Sequence, residues 1–161
     1  MAARRTPARR TPARRTGVPP RWLKPLNRVL LGVQRLGLGM RELPVLTVPG
    51  RRSGRPRRTP LTVLDLDGQR YLLQGYPSAD WVANVRAAGH VGTLEVGRRT
   101  ERVRLVELEP AAALPVLRAW PVRVPQGAKI MKDAGVVDDV TPEAFAGLVG
   151  RCAVFRLEPL S

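Results

Sequence analysis

Two hydrophobic patterns divide this 161-residue chain near residue 42. Before that point Trp22, Leu26, Val29, Leu30, Val33 and Leu36 recur three or four apart, and Pro20 suits a first helical turn. The spacing predicts an amphipathic leading helix in residues 17–40, with Arg21, Lys24, Arg28 and Arg35 on its polar face. After that point apolar residues fall in short, partly alternating runs. Leu43–Val48, Thr59–Leu66, Tyr71–Leu73, Val91–Val96, Thr100–Leu108 and Cys152–Leu157 are six expected strands. Pro60 stands near the start of the second, where an edge tolerates it. Asp67-Gly68 and Gly97-Arg98 are hairpin turns.

Helices interrupt the strands. Asp80–Ala88 is bounded by Ser78 or Asp80 as cap and Gly89 as stop. Leu114–Trp120 is interrupted by Pro115. Thr141-Pro142-Glu143 has a cap, a first-turn proline and an acid at the positive end of a helix that Gly150 ends. Hairpins with a few helices indicate an α+β, mainly β, small-barrel architecture rather than alternating βαβ units.

Composition refines this. With 43% hydrophobic residues the chain can bury a core, and with 4% aromatics that core rests on Leu, Val and Ala. The length suits one domain, expected over 17–161. Residues 1–16 repeat Arg-Arg-Thr-Pro-Ala, hold six arginines and no acid, and are expected to be a disordered basic tail. Asn27, Arg28, Gln34 and Arg35 break the apolar stretch that follows, so it is not a secretory signal. No run approaches the ~18 apolar residues of a membrane span. The expected location is the cytoplasm, with peripheral contact at the inner face of an anionic membrane as the alternative that the basic helix raises.

The net charge is +15, and +9 without the first 16 residues, so the folded part itself attracts anions. Cys152 is the only cysteine and His90 the only histidine. An intrachain disulfide, a cysteine-cluster zinc site and a multi-histidine metal site are thereby excluded, and no metal is expected. No Gly-x-Ser-x-Gly elbow accompanies His90, which argues against acyl transfer. A bound cofactor is the expected carrier of any chemistry, and no side chain is assigned a catalytic role.

Two segments carry candidate chemistry. Gly50-Arg51-Arg52-Ser53-Gly54-Arg55-Pro56-Arg57-Arg58-Thr59-Pro60 lies between the first two strands. Its glycines permit tight turns, Ser53 adds a hydroxyl, and the arginines are forked donors suited to phosphate or carboxylate. Alone, this loop also suits nucleic acid or a solvated charge cluster, and no Gly-Lys-Ser/Thr makes it a P-loop. In the second, Gly75 to Gly89, Trp81, Asn84 and Val85 share one helical face beside a glycine-containing loop. They are able to pack on a heterocycle, or Trp81 is simply a core anchor.

Together, Gly-Arg-Arg-Ser-Gly-x-Pro-Arg-x-x-Pro-Leu and Trp-x-x-Asn-x-Arg-Ala resemble the deazaflavin-dependent nitroreductase and quinone reductase family of split-barrel oxidoreductases. The resemblance runs from about Leu43 to Val106, with a leading helix before it and the strand Ala153–Leu157 after it. It implies an FMN-binding-like split β-barrel and coenzyme F-420 (8-hydroxy-5-deazaflavin) as cofactor, with FMN the weaker fit. Carried over by position, Arg51, Arg52, Ser53, Gly54, Arg57, Arg58 and Thr59 would surround the cofactor's phosphate and ring edge. Pro60 would pack near the ring, Gly75, Trp81 and Asn84 would line its other side, and Arg86 would be nearby or brace the loop. The implied reaction is hydride transfer to a quinone, nitroaromatic or activated alkene, in a monomer or homodimer. The chain departs from the family pattern after Tyr76, where no further tyrosine occurs although better-known members are tyrosine-rich there. That departure leaves a non-catalytic flavin- or haem-type binding module as one alternative, and the basic tail and leading helix leave a basic membrane- or nucleic-acid-surface protein as another. The lack of aromatics among the basic runs argues against single-strand stacking on nucleic acid.

Overall fold

The computed structural model describes residues 43–161, so the leading helix and the basic tail lie outside the described residues. The strands are β1 (Val45–Pro49), β2 (Pro56–Pro60), β3 (Leu64–Leu66), β4 (Gln69–Leu73), β5 (Val91–Val96), β6 (Arg99–Glu107) and β7 (Val154–Pro159). The helices are α1 (Asp80–Ala87), α2 (Pro110–Arg123), α3 (Pro125–Asp133) and α4 (Pro142–Ala146). All seven strands form one antiparallel sheet in the order β2-β1-β5-β6-β7-β4-β3. It curls into the half-barrel of the split-barrel fold.

The expected run Thr59–Leu66 is two strands, not one. Pro60 has no N–H to donate, and the chain leaves the ladder after it. Leu61–Val63 then carries the chain from one edge of the sheet, β2, to the other, β3. Both expected hairpins form: Leu66 pairs Gln69 across Asp67 (φ 51°) and Gly68 (φ 75°), and Val96 pairs Arg99.

Alternation gives the sheet two faces and two cores. On the inner face Leu46, Val48, Leu72, Leu94, Val103, Leu105, Phe155 and Leu157 pack against Trp81, Val82 and Val85 of α1. On the outer face of β3, β4 and β7, Leu64, Leu73 and Val154 pack against α2, α3 and α4 through Leu117, Trp120, Met131 and Phe145. The helix α2 exceeds the expected Leu114–Trp120 and holds Pro115 and Pro121 inside it, because burial of Val116, Leu117 and Trp120 outweighs the broken ladder bonds. Helix α3 falls where no helix was expected. At α4 the Thr141 hydroxyl accepts from the Ala144 N–H at 3.2 Å, as its sequence foretold.

Three ion pairs tie these layers. Arg58 of β2 bonds Glu95 of β5 across β1, and Arg70 of β4 bonds Glu101 of β6. Arg86 of α1 forks onto Glu107 at the end of β6, with bonds of 3.0 and 2.5 Å. No helix among the described residues is long and apolar enough to cross a membrane.

Candidate functional site

The arginine-rich segment is the tip of the β1–β2 hairpin. The Gly50 N–H donates to the Arg55 carbonyl and the Gly54 N–H to the Gly50 carbonyl, both at 2.8 Å, which folds residues 50–55 into a compact turn. Gly54 takes φ 66°, a conformation glycine adopts without strain. A side chain on Gly50 would place its Cβ 3.1 Å from both Arg57 Nε and Ser53 Oγ. The missing side chain at Gly50 leaves room there for the Arg57 guanidinium and the Ser53 hydroxyl. Ser53 Oγ also accepts from the Arg55 N–H at 3.3 Å.

Strand alternation then sorts the arginines of β2. Arg57 pairs Val48 and Thr59 pairs Leu46, so both belong to the face that α1 covers. Arg58 and Pro60 pair Thr47 and Val45 and belong to the opposite face. There Arg58 is held by Glu95. Arg58 and Pro60 therefore stand on the other face of the sheet from Arg57 and Thr59, since neighbours on a strand point to opposite faces.

Helix α1 meets the hairpin tip directly. Asn84 Oδ1 accepts from the Arg51 main-chain N–H and from Arg51 Nη1, each at 3.1 Å, and Asp80 Oδ1 accepts from Arg51 Nη2 at 2.9 Å. Asn84 is buried at 6% exposure, and through Oδ1 it holds the loop. Trp81 is likewise buried, its ring centroid 5.5 Å from that of Phe155, as a core anchor of the inner face. Arg86 braces α1 against β6 through Glu107. The Arg86 guanidinium lowers the Glu107 carboxyl below its ordinary value. Arg52 is exposed beside Ser53 and free to turn to a ligand. Gly75 is half-buried, and a Cβ there would meet nothing within 4 Å, so no packing demand of the described chain explains the glycine.

Sequence reasoning missed what two neighbours do, and Tyr76 lies beside them. Asp80 stood only as a helix cap, yet it is the counter-ion of Arg51, whereas the N-cap position is Ala79 without a side-chain bond. Gln74 is buried and bridges β4 to β7, donating to the Pro77 carbonyl at 3.0 Å and accepting from the Ala153 N–H at 2.8 Å. Its polar type gave no hint of burial. Tyr76 packs against both cores, and its phenol pKa is raised by burial and then by the charge of Asp80.

Two depressions flank the end of α1. One of about 410 Å³ runs from Gly54 and Pro56 over Thr47, Gly92 and Thr93. The other, an open groove of about 870 Å³, is lined by Gln74, Arg86, His90, Arg104, Glu107 and Arg151 among others. His90 Nδ1 lies 3.1 Å from the Leu105 carbonyl. Cys152 is buried in that wall, and burial pushes its thiol up to about 11, which removes it from nucleophilic chemistry at neutral pH. Among the described residues no cluster of three His, Cys, Asp or Glu side chains could hold a metal ion.

A half-barrel with a compact turn that brings arginines and a hydroxyl together beside a buried indole helix defines a split-barrel protein suited to an anionic cofactor. Residues 29–131 match the family described as F420H(2)-dependent quinone reductase, and the chain belongs to that family. It is a deazaflavin-dependent reductase with coenzyme F-420 as its cofactor. Among solved structures, one described as a domain-swapped dimer is 21% identical, with a TM-score of 0.51 over 85% of this chain and 97% of that one. The Atu2129 protein of Agrobacterium tumefaciens, of unknown function, is 14% identical, with a TM-score of 0.51 over 83% of this chain and 55% of that one. These two similarities support the fold. An F420-H2 dependent reductase, FDR-A, is 20% identical over 71% of this chain and 92% of that one, with a TM-score of 0.49. No curated protein matches the sequence.

Proposed function

We propose that this reductase transfers a hydride from reduced coenzyme F-420 to a small electron-poor organic acceptor, a quinone first, with nitroaromatics and activated alkenes as further members of the class. The observation that carries the cofactor side of this reading is the convergence of Arg57 and Ser53 over Gly50. A phosphate with carboxylates beyond it calls for such donors, and a neutral ring would not. Arg51 and Arg57 would hold the anionic part, with Ser53 as a hydroxyl donor and Arg52 able to swing in. The family match supports a quinone as acceptor.

When bound, the deazaflavin supplies the hydride, and the protein supplies orientation and a partly dry wall. Tyr76 keeps its phenolic proton at neutral pH, since burial and Asp80 both disfavour the phenolate. It and solvent are the two proton sources for the reduced product.

The test mixes full-length protein with reduced coenzyme F-420 and follows coenzyme absorbance and fluorescence as a water-soluble benzoquinone is added. The expected result is saturable coenzyme binding at micromolar levels and quinone-dependent oxidation. Binding without turnover across quinones, nitroaromatics and activated alkenes would leave a carrier module. No binding would remove the reading.

A further inference from the structure

We propose that α1 sets the readiness of the arginine loop, with Asn84 as a positioning residue that fixes Arg51 and Asp80 as an internal counter-ion that an incoming anion must displace. This rests on reading the loop as the anion site of coenzyme F-420.

An arginine at a hairpin tip has many rotamers, and a site that must order it on binding loses affinity. Here the ordering is already in place. One oxygen, Asn84 Oδ1, takes both the main-chain N–H and the Nη1 of Arg51 at 3.1 Å, which fixes the turn and the side chain together. With that oxygen engaged twice and the residue buried, Asn84 acts on a ligand through Arg51.

Asp80 differs in each respect that matters. It lies one helical turn before Asn84, on the same face of α1. Its only bond to the loop runs from Arg51 Nη2 at 2.9 Å, and its side chain is 82% exposed. An ion pair so open to water is weak and exchangeable. It nevertheless occupies one arm of the guanidinium fork and cancels the charge the loop offers. The carboxylate therefore stands in for the ligand's own anionic group in the free protein. Replacing it by a multiply charged phosphate releases Asp80 to solvent and leaves the Asn84 bonds in place.

The two roles predict opposite signs. Affinity for oxidised coenzyme F-420, read by fluorescence with full-length protein, is expected to fall about tenfold in Asn84→Ala, by the loss of about one charged hydrogen bond. In Asp80→Asn it is expected to rise about threefold, the scale of an exposed ion pair. The rise should vanish in an Arg51→Ala background. Asp80→Asn also removes an acid from the first turn of α1, and the Arg51→Ala background separates loss of the ion pair from a general gain in positive charge. Amide hydrogen exchange over residues 50–55 without ligand gives the second arm. Asn84→Ala should speed exchange at Arg51, and Asn84→Asp, which keeps an acceptor oxygen, should restore protection while leaving affinity low because it adds a charge. Unchanged or weaker binding in Asp80→Asn, or a gain that persists without Arg51, would overturn the counter-ion role. Unaltered exchange in Asn84→Ala would overturn the positioning role. If the wild-type protein binds no coenzyme, the functional reading fails, and the exchange experiment still decides the role of Asn84.

Discussion

Arg57 and Arg58 are adjacent in sequence and opposite in consequence. Arg57 lies over Gly50 beside Ser53, on the face that α1 covers, while Arg58 crosses β1 to Glu95. Arg57→Ala should therefore weaken coenzyme binding by about tenfold, the loss of a charged hydrogen bond or two, with little change in melting temperature. Arg58→Ala should leave the dissociation constant within about twofold and lower stability by at most ~1 kcal/mol, as partly exposed pairs do. Titration of both variants by fluorescence, with thermal melts beside it, separates them. Equal losses of affinity would mean that the two side chains share one ligand after all.

At the scale of elements, the half-barrel is held by bonds that join pieces distant in sequence. Gln74 is the clearest example, since it closes the β4 end onto the start of β7 and the loop before α1. Gln74→Ala would leave the Ala153 N–H and the Pro77 carbonyl without their partner. A buried polar group left unpaired costs about 1–3 kcal/mol, so a loss of roughly 2–4 kcal/mol is expected in urea unfolding. A loss below ~1 kcal/mol would show that water replaces the amide. The same loop carries Gly75 and Tyr76 toward α1, so the bridge also sets where the phenol of Tyr76 lies.

At the scale of the whole molecule, stability should respond to acid through Glu107. Its folded pKa is held below the ordinary 4.5, first by the hydrogen bond from Arg86. A carboxylate lowered in the folded state stabilises fully above its unfolded pKa, and that contribution fades as pH falls through the folded value. Wild-type protein should therefore lose stability between neutral pH and the region below 4.5, and Glu107→Gln should lose less over the same interval. Parallel denaturation series at neutral and acid pH check this; identical slopes would remove Arg86–Glu107 from the account.

How much of this was legible in the sequence follows from the range of the interactions. Local chemistry was readable: Asp67-Gly68 and Thr141-Pro142 specify their turn and cap, and the glycines of residues 50–54 mark a tight hairpin. The pairing of the arginine loop with the Trp-x-x-Asn helix was legible because both patterns share the chain in fixed order. What was hidden depends on contacts across the fold. Nothing local showed that Leu61–Val63 crosses between edges, that α2 tolerates two prolines, or that Asn84 is buried. The resemblance also placed Arg51, Arg52, Arg57 and Arg58 around one group, although the pleat puts Arg57 and Arg58 on opposite faces.

The position of β2 has one more effect. It is the outermost strand of the sheet among the described residues, with Pro56 and Pro60 at its two ends and Arg57 and Arg58 between them. Missing amide hydrogens and like charges discourage a second molecule from docking edge to edge and extending the sheet. The proposed anion site and the guard against aggregation thus share Arg57 of this strand. Variants that neutralise this strand to weaken cofactor capture will also be the ones most prone to precipitate, so their affinities have meaning only for material that remains monodisperse.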